Sequence, residues 1–226
     1  DADGAKTIAH AFKATGLGIN ELFVALKSGG YSIQASADGL LSVGYGIREL
    51  AAIAKQVYEL DIAGAYRVLA DRFRYAYIDQ QGPPTIFKAL LDAGYELSPL
   101  AKFYLDHVRS RDQLFVIREM KAAGLSTDQS LLIVHDIARA DGYPLTLDSA
   151  FDIFQGAVYG FTSDEVLSAV LYAFAGDPSV TLDVQSVGLA FYKIRLTAWP
   201  TEFYERAREL RNRMGMTMKQ WMELEV

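Results

Sequence analysis

One phrase recurs along this chain and constrains its fold more than any other feature. It is a glycine, then an apolar residue, then a small polar residue placed three positions before Glu or Gln. It reads GLSTDQ at 124–129, GFTSDE at 160–165 and GMTMKQ at 215–220. Looser versions are GLGINE from Gly16, GYSIQA from Gly30, GYGIRE from Gly44 and GYELSP from Gly94. The glycines follow helix-periodic segments, as in MKAAG before Leu125 and LLDAG before Tyr95. A helix commonly ends on one left-handed residue, where glycine avoids the Cβ clash, and the next apolar residue folds back on the last turn. Ser126, Thr162 and Thr217 can then cap the following helix, with Gln129, Glu165 and Gln220 closing a reciprocal capping box. The phrase therefore stops one helix and starts another within a few residues, as a tight helix–helix connection requires.

Between these marks the apolar spacing is helical. Ile53, Val57 and Leu60 form one stripe, Ile62, Tyr66, Leu69 and Phe73 another, and Val180, Val184, Val187, Phe191 and Ile194 a third. Pro83-Pro84 and Pro200 suit helix starts. The pattern predicts helices over 5–15, 18–29, 34–43, 46–60, 62–79, 84–93, 97–109, 111–123, 126–140, 146–158, 162–175, 180–197, 200–213 and 217–225. Ser36, Asp38 and Gly39 dilute the pattern in 34–43. No segment alternates apolar and polar residues as a strand would. The expectation is an all-α chain of about 12–14 helices, an irregular array of helical hairpins, α-solenoid-like or a multi-helical bundle. The glycines at 16, 30, 44, 94, 124, 142, 160 and 215 share no single period, which sets the chain apart from regular helical repeats. It reads as one domain over 1–226, with QQGPP at 80–84 the best internal hinge.

Composition narrows function. Hydrophobic residues make up 51% of the 226, enough for a sizeable core, so disorder is not expected. The net charge of -6 opposes a nucleic-acid surface, since phosphate binding needs a basic field. With no cysteine, disulfides, thiolate metal ligands and a cysteine nucleophile are excluded. The longest aliphatic block is LLIV at 131–134, far short of the roughly 20 residues that span a bilayer, and no leader-like segment is seen, so the chain as given is expected to be soluble.

The most specific chemical string is LLIVHDIARADG, with His135-Asp136 on a predicted helix and His107 upstream. It resembles the metal centre of the HD phosphohydrolase superfamily, whose helices carry a His, then a His-Asp pair, then a distant Asp. The resemblance implies a divalent metal held by His107, His135 and Asp136 that activates water against phosphate, with Asp177 or Asp183 as a fourth ligand. It covers about 40 residues, and Ala138-Arg139 stand where the family often has glycine and lysine. IREMKAAGLSTDQ is similar to one unit of the pentatricopeptide repeats, which read RNA, but their regular period is missing and the charge is of the wrong sign.

The remaining candidates have structural explanations. In YRVLADRFRYAYI, from Tyr66, the residues Tyr66, Leu69, Phe73 and Tyr77 share a helical face, with Arg67, Asp71 and Arg74 on others, as in a core stripe with a charged outer side. TEFYERARELRNR pairs Glu202 with Arg206 and Glu209 with Arg213, which neutralises the helix itself. His10 in IAHAF is expected to pack, and Tyr31, Tyr45, Tyr95 and Tyr143 at the turns could line a surface. No nucleophile elbow, phosphate-binding glycine loop, His-Glu-x-x-His or calcium loop occurs. The expectation is a non-enzymatic module without cofactor that binds another protein or forms part of a larger assembly. The alternative is an HD-type metal-dependent phosphohydrolase using His107, His135 and Asp136.

Overall fold

The structure, a computed structural model, describes residues 2–16, 18–73, 85–108, 112–154, 160–175 and 177. These residues contain no strand and form eleven α-helices: α1 (Ala2–Thr15), α2 (Ile19–Ser28), α3 (Ile33–Ser42), α4 (Ile47–Gln56), α5 (Ile62–Phe73), α6 (Ile86–Asp92), α7 (Leu97–Phe103), α8 (Gln113–Ala122), α9 (Thr127–Ala140), α10 (Leu147–Phe154) and α11 (Ser163–Phe174). The all-helical expectation holds. A π-helical turn, Tyr104–Val108, continues α7 where the sequence predicts plain helix to 109. The helices predicted over 180–197, 200–213 and 217–225, with Gly215 and Thr217, lie outside the described residues, as does the hinge expected at 80–84. The chain divides into two compact units, Asp1–Ser110 and Arg111–Val226.

The punctuation works through backbone bonds. After Gly30, Gly44, Gly94, Gly124 and Gly142, the next N–H bonds the carbonyl five residues back: Tyr31 to Leu26, Tyr45 to Leu40, Tyr95 to Leu90, Leu125 to Met120 and Tyr143 to Ala138. Each glycine N–H bonds the carbonyl three back, so two otherwise orphaned carbonyls are satisfied per helix end. Those glycines, with Gly16 and Gly160, have φ between 71° and 119°. Capping boxes close at Ser126 with Gln129 and at Thr162 with Glu165. Ser32, Thr85 and Asp112 cap α3, α6 and α8 with single side-chain bonds. At GYGIRE the carboxylate of Glu49 accepts from the Gly46 N–H, and glycine has no side chain to reciprocate. Glu96 and Gly18 precede α7 and α2 without a side-chain cap.

Within each unit most helices pack on the next, and several also on the one after. In the first unit α1 packs on α3, α3 on α5, α4 on α6 and α5 on α7; in the second, α8 packs on α10 and α9 on α11. Leu22, Leu26, Leu40, Leu50, Ile53, Leu69, Phe87, Leu90 and Tyr104 fill the first core, and Val116, Met120, Leu131, Val134, Phe151 and Phe174 the second. Fully burying each such side chain contributes about 1.5–3 kcal/mol, which dwarfs any single cap. Tyr104 sits among Phe87, Phe103 and Tyr66, with ring centroids 5.0–6.2 Å away in edge-on geometry. In α5, Ala65, Val68 and Leu69 are buried, Tyr66 is half-buried and Arg67 is exposed, as a core stripe requires.

The end of the helix predicted over 46–60 shifts for a physical reason. The helix expected to reach residue 60 ends at Gln56, because Glu59 adopts φ 54° and the Tyr58 and Leu60 N–H groups turn back to Ile53 and Ala54. No glycine marks that stop. In α3 the residues that dilute the apolar pattern make specific contacts. Ser36 is buried against the Tyr58 hydroxyl at 2.6 Å, Asp38 binds Arg72, and Gly39 lets α1 approach.

The two units share a spacing. Helices α4, α5 and α7 begin at 47, 62 and 97, and α8, α9 and α11 begin at 113, 127 and 163, later by 66, 65 and 66 residues. Gly94-Tyr95 and Gly160-Phe161, 66 apart, precede α7 and α11 in the same way.

Candidate functional site

His135 and Asp136 are consecutive on α9, so their side chains leave the helix about 100° apart. The neighbouring helices bury one and leave the other out: His135 is 0% exposed and Asp136 is exposed. The ring of His135 packs against Phe174 of α11 with centroids 4.4 Å apart. Its Nε2 lies 3.1 Å from the Asp177 carboxylate and 2.7 Å from the Arg139 guanidinium, one turn along the same helix. Arg139 donates in turn to Asp177 at 2.5 Å. Nε2 thus faces a donor, the guanidinium, and an acceptor, the carboxylate, while the other ring nitrogen, Nδ1, points outside the cluster. Among the described residues that Nδ1 is buried without a hydrogen-bond partner.

Of the implied ligands, the structure thus brings His135 and Asp177 together, with Arg139 between them. Asp136 faces away. His107 is exposed on the π-helical turn after α7, its ring 5.1 Å from Phe103, and it belongs to the other unit. Asp183 lies outside the described residues. No group of three His, Cys, Asp or Glu side chains placed to hold a metal ion occurs among the described residues. A metal at Nε2 would have to displace the guanidinium. As it stands the cluster is a cation closing a buried carboxylate, and a half-exposed arginine suits that role because its planar fork spans both partners.

Other candidates separate by burial. His10, expected to pack, is exposed on α1, because the buried face there runs through Ala5 and Ala9. Of the turn tyrosines, Tyr143 is 75% exposed and Tyr95 only 6%. Tyr95 donates its hydroxyl to the Leu60 carbonyl at 2.8 Å, with the Lys55 ammonium 4.3 Å from its ring centre. Burial, helped by the Asp61 charge, pushes its phenol up to about 12. Tyr172, on the last turn of α11, is half exposed.

Sequence reasoning missed the basic residues that close helices. Lys13, Lys27 and Lys121 stand three positions before Gly16, Gly30 and Gly124, and Arg139 three before Gly142. The signal was legible as Lys or Arg in the last turn, where a cation offsets the negative helix end. Their acceptors on other helices were not. Lys121 also bridges to Glu165, at 2.6 Å. Burial opposes ionisation of Glu165, but the bonds from Lys121 and Thr162 outweigh it and hold the carboxyl below its usual range.

No helix among the described residues is long and apolar enough to cross a membrane. Comparison with known protein families, with curated proteins and with solved structures finds no match for this chain.

Proposed function

We propose that this chain is a non-enzymatic interaction module, an α-solenoid-like array of hairpins that binds another protein or forms part of a larger assembly. One observation carries the reading: within each unit several helices pack both on a sequence neighbour and on the helix two places on, as α1 does on α3, α4 on α6 and α9 on α11, the arrangement by which stacked hairpins build extended faces. The acidic balance supports a protein partner over nucleic acid. The test is purification of the tagged full chain under gentle conditions, followed by reconstitution of any co-purifying protein from pure components. A stoichiometric complex supports the module, and cross-linking then maps its face. A chain that stays alone and turns over phosphoesters sinks it.

A second reading, the HD-type phosphohydrolase, rests on His135 lying 3.1 Å from Asp177. It requires Arg139 to move aside for a metal. Metal content and metal-dependent phosphoesterase activity separate the two readings.

A further inference from the structure

Five helices carry a basic residue in the last turn that reaches the C-terminal side of the helix two places further on. Lys13 of α1 donates to the carbonyl of Val43, which caps α3. Lys27 of α2 donates to Val57, which caps α4. Lys55 of α4 donates to Gly94, just past α6. Lys121 of α8 donates to Gly160, in the turn between α10 and α11, at 2.9 Å. Arg139 of α9 reaches Asp177, just past α11, whose N–H bonds Phe174. The sequence separations are 30, 30, 39, 39 and 38. Arg72 of α5 is different: it turns back to Asp38 and the Gln34 carbonyl of α3.

For Lys13, Lys27 and Lys55 the acceptor is a carbonyl at a helix end, while Lys121 takes a carbonyl just before α11 and Arg139 a carboxylate just past it. The last carbonyls of a helix have no partner inside it and carry roughly half a negative charge. Where helices n and n+2 run side by side with their C-terminal ends together, two such negative ends meet. A cation rooted on one and bonded to the other offsets both. In two cases an aromatic ring seats the ammonium as well: Tyr95 under Lys55 and Phe161 under Lys121, at 4.3 and 4.5 Å.

We propose that these cations are directional latches, each tying the C-terminal end of helix n+2 to helix n, so that removing one opens the later helix end and leaves the earlier helix intact. A row latched in this way yields one joint at a time. The inference does not depend on what the array binds.

Hydrogen exchange read by mass spectrometry on the full chain tests it. Lys55→Met keeps the aliphatic stem and removes the ammonium. The amides of Ala93, Gly94 and Tyr95 should then exchange about tenfold faster, while those of α4 change less than about twofold. Lys55→Arg should restore protection. Lys27→Met, at an exposed position, gives the same reading at 57–60 even if the Lys55 variant folds poorly. Faster exchange spread evenly over the unit, greatest in the donor's own helix, or absent at the acceptor end would overturn the proposal.

Discussion

Gly39 of α3 lies so close to Ala5 of α1 that a methyl on its Cα would sit 2.8 Å from the Ala5 carbonyl oxygen. The obstacle is backbone, so no side-chain rotation relieves it. Alanine normally stabilises a helix interior over glycine by about 0.5–1 kcal/mol. Here the sign should reverse: Gly39→Ala should lose about 1–3 kcal/mol through overpacking, measured by urea unfolding. A gain in stability would show that α1 does not seat on α3.

Gly124 presents the opposite case. A methyl there meets nothing within 4 Å, so only its φ of 102° penalises substitution. Gly124→Val and Gly160→Val should each cost about 1 kcal/mol or more, because a β-branched residue resists positive φ. Gly124→Asn should cost less than Gly124→Val, since asparagine tolerates the left-handed region. Equal stabilities for the three proteins would contradict the assigned turn.

Thr162→Ala should cost roughly 0.5–2 kcal/mol as a lost cap. Its partner Glu165 adds an acid dependence. A carboxyl held below its unfolded value contributes stability that is fully present above that unfolded value, near 4.5, and is lost as pH falls through the folded one. Both members of the Lys121–Glu165 pair are more than a third exposed, so the effect should be within about 1 kcal/mol. Glu165→Gln should keep the box, as Gln129 does at Ser126, and flatten stability between pH 5 and pH 3 relative to the parent.

Tyr95 makes an alkaline prediction. Its phenol is held neutral to about 12 in the folded chain against 10 when unfolded. The stabilisation is present below pH 10 and is lost as pH rises from there to 12. Because solvent screens the exposed Asp61 charge, the loss should stay within about 1–2 kcal/mol. Tyr95→Phe should be less stable at neutral pH by about 1 kcal/mol, for the lost bond to Leu60, yet lose less on going from pH 9.5 to 11.5. Parallel losses in both proteins would place the alkaline sensitivity elsewhere.

For His135, elemental analysis of the purified chain should find substoichiometric iron, manganese, zinc and nickel, and added metal should leave the melting temperature unchanged. Arg139→Met should destabilise by about 3–5 kcal/mol if it strips a buried carboxylate of its cation. A metal that raised the melting temperature, with the rise abolished in His135→Ala, would favour the phosphohydrolase.

Local chemistry in the sequence determined where most helices start and stop. A left-handed glycine, the residue that folds back after it and a hydroxyl with its Glu or Gln all act within about six residues, so Gly124, Ser126, Thr162 and Glu165 declared their roles without tertiary information. Only the assembled helices decided what faces inward. Nothing in the His135-Asp136 pair says which one is buried; the packing of α9 on α11 chose the imidazole and brought Asp177 to it from 42 positions away. Ser36, Asp38 and Gly39 read as flaws in a helix because their partners Tyr58, Arg72 and Ala5 lie 22 to 34 residues distant. The lysines before the glycines announced a helix end, but a carbonyl 30 or 39 residues on is reached only when helices n and n+2 stand side by side. Hydrogen bonds inside a turn are encoded by neighbours in the chain. Burial and the pairing of helix ends belong to neighbours in space.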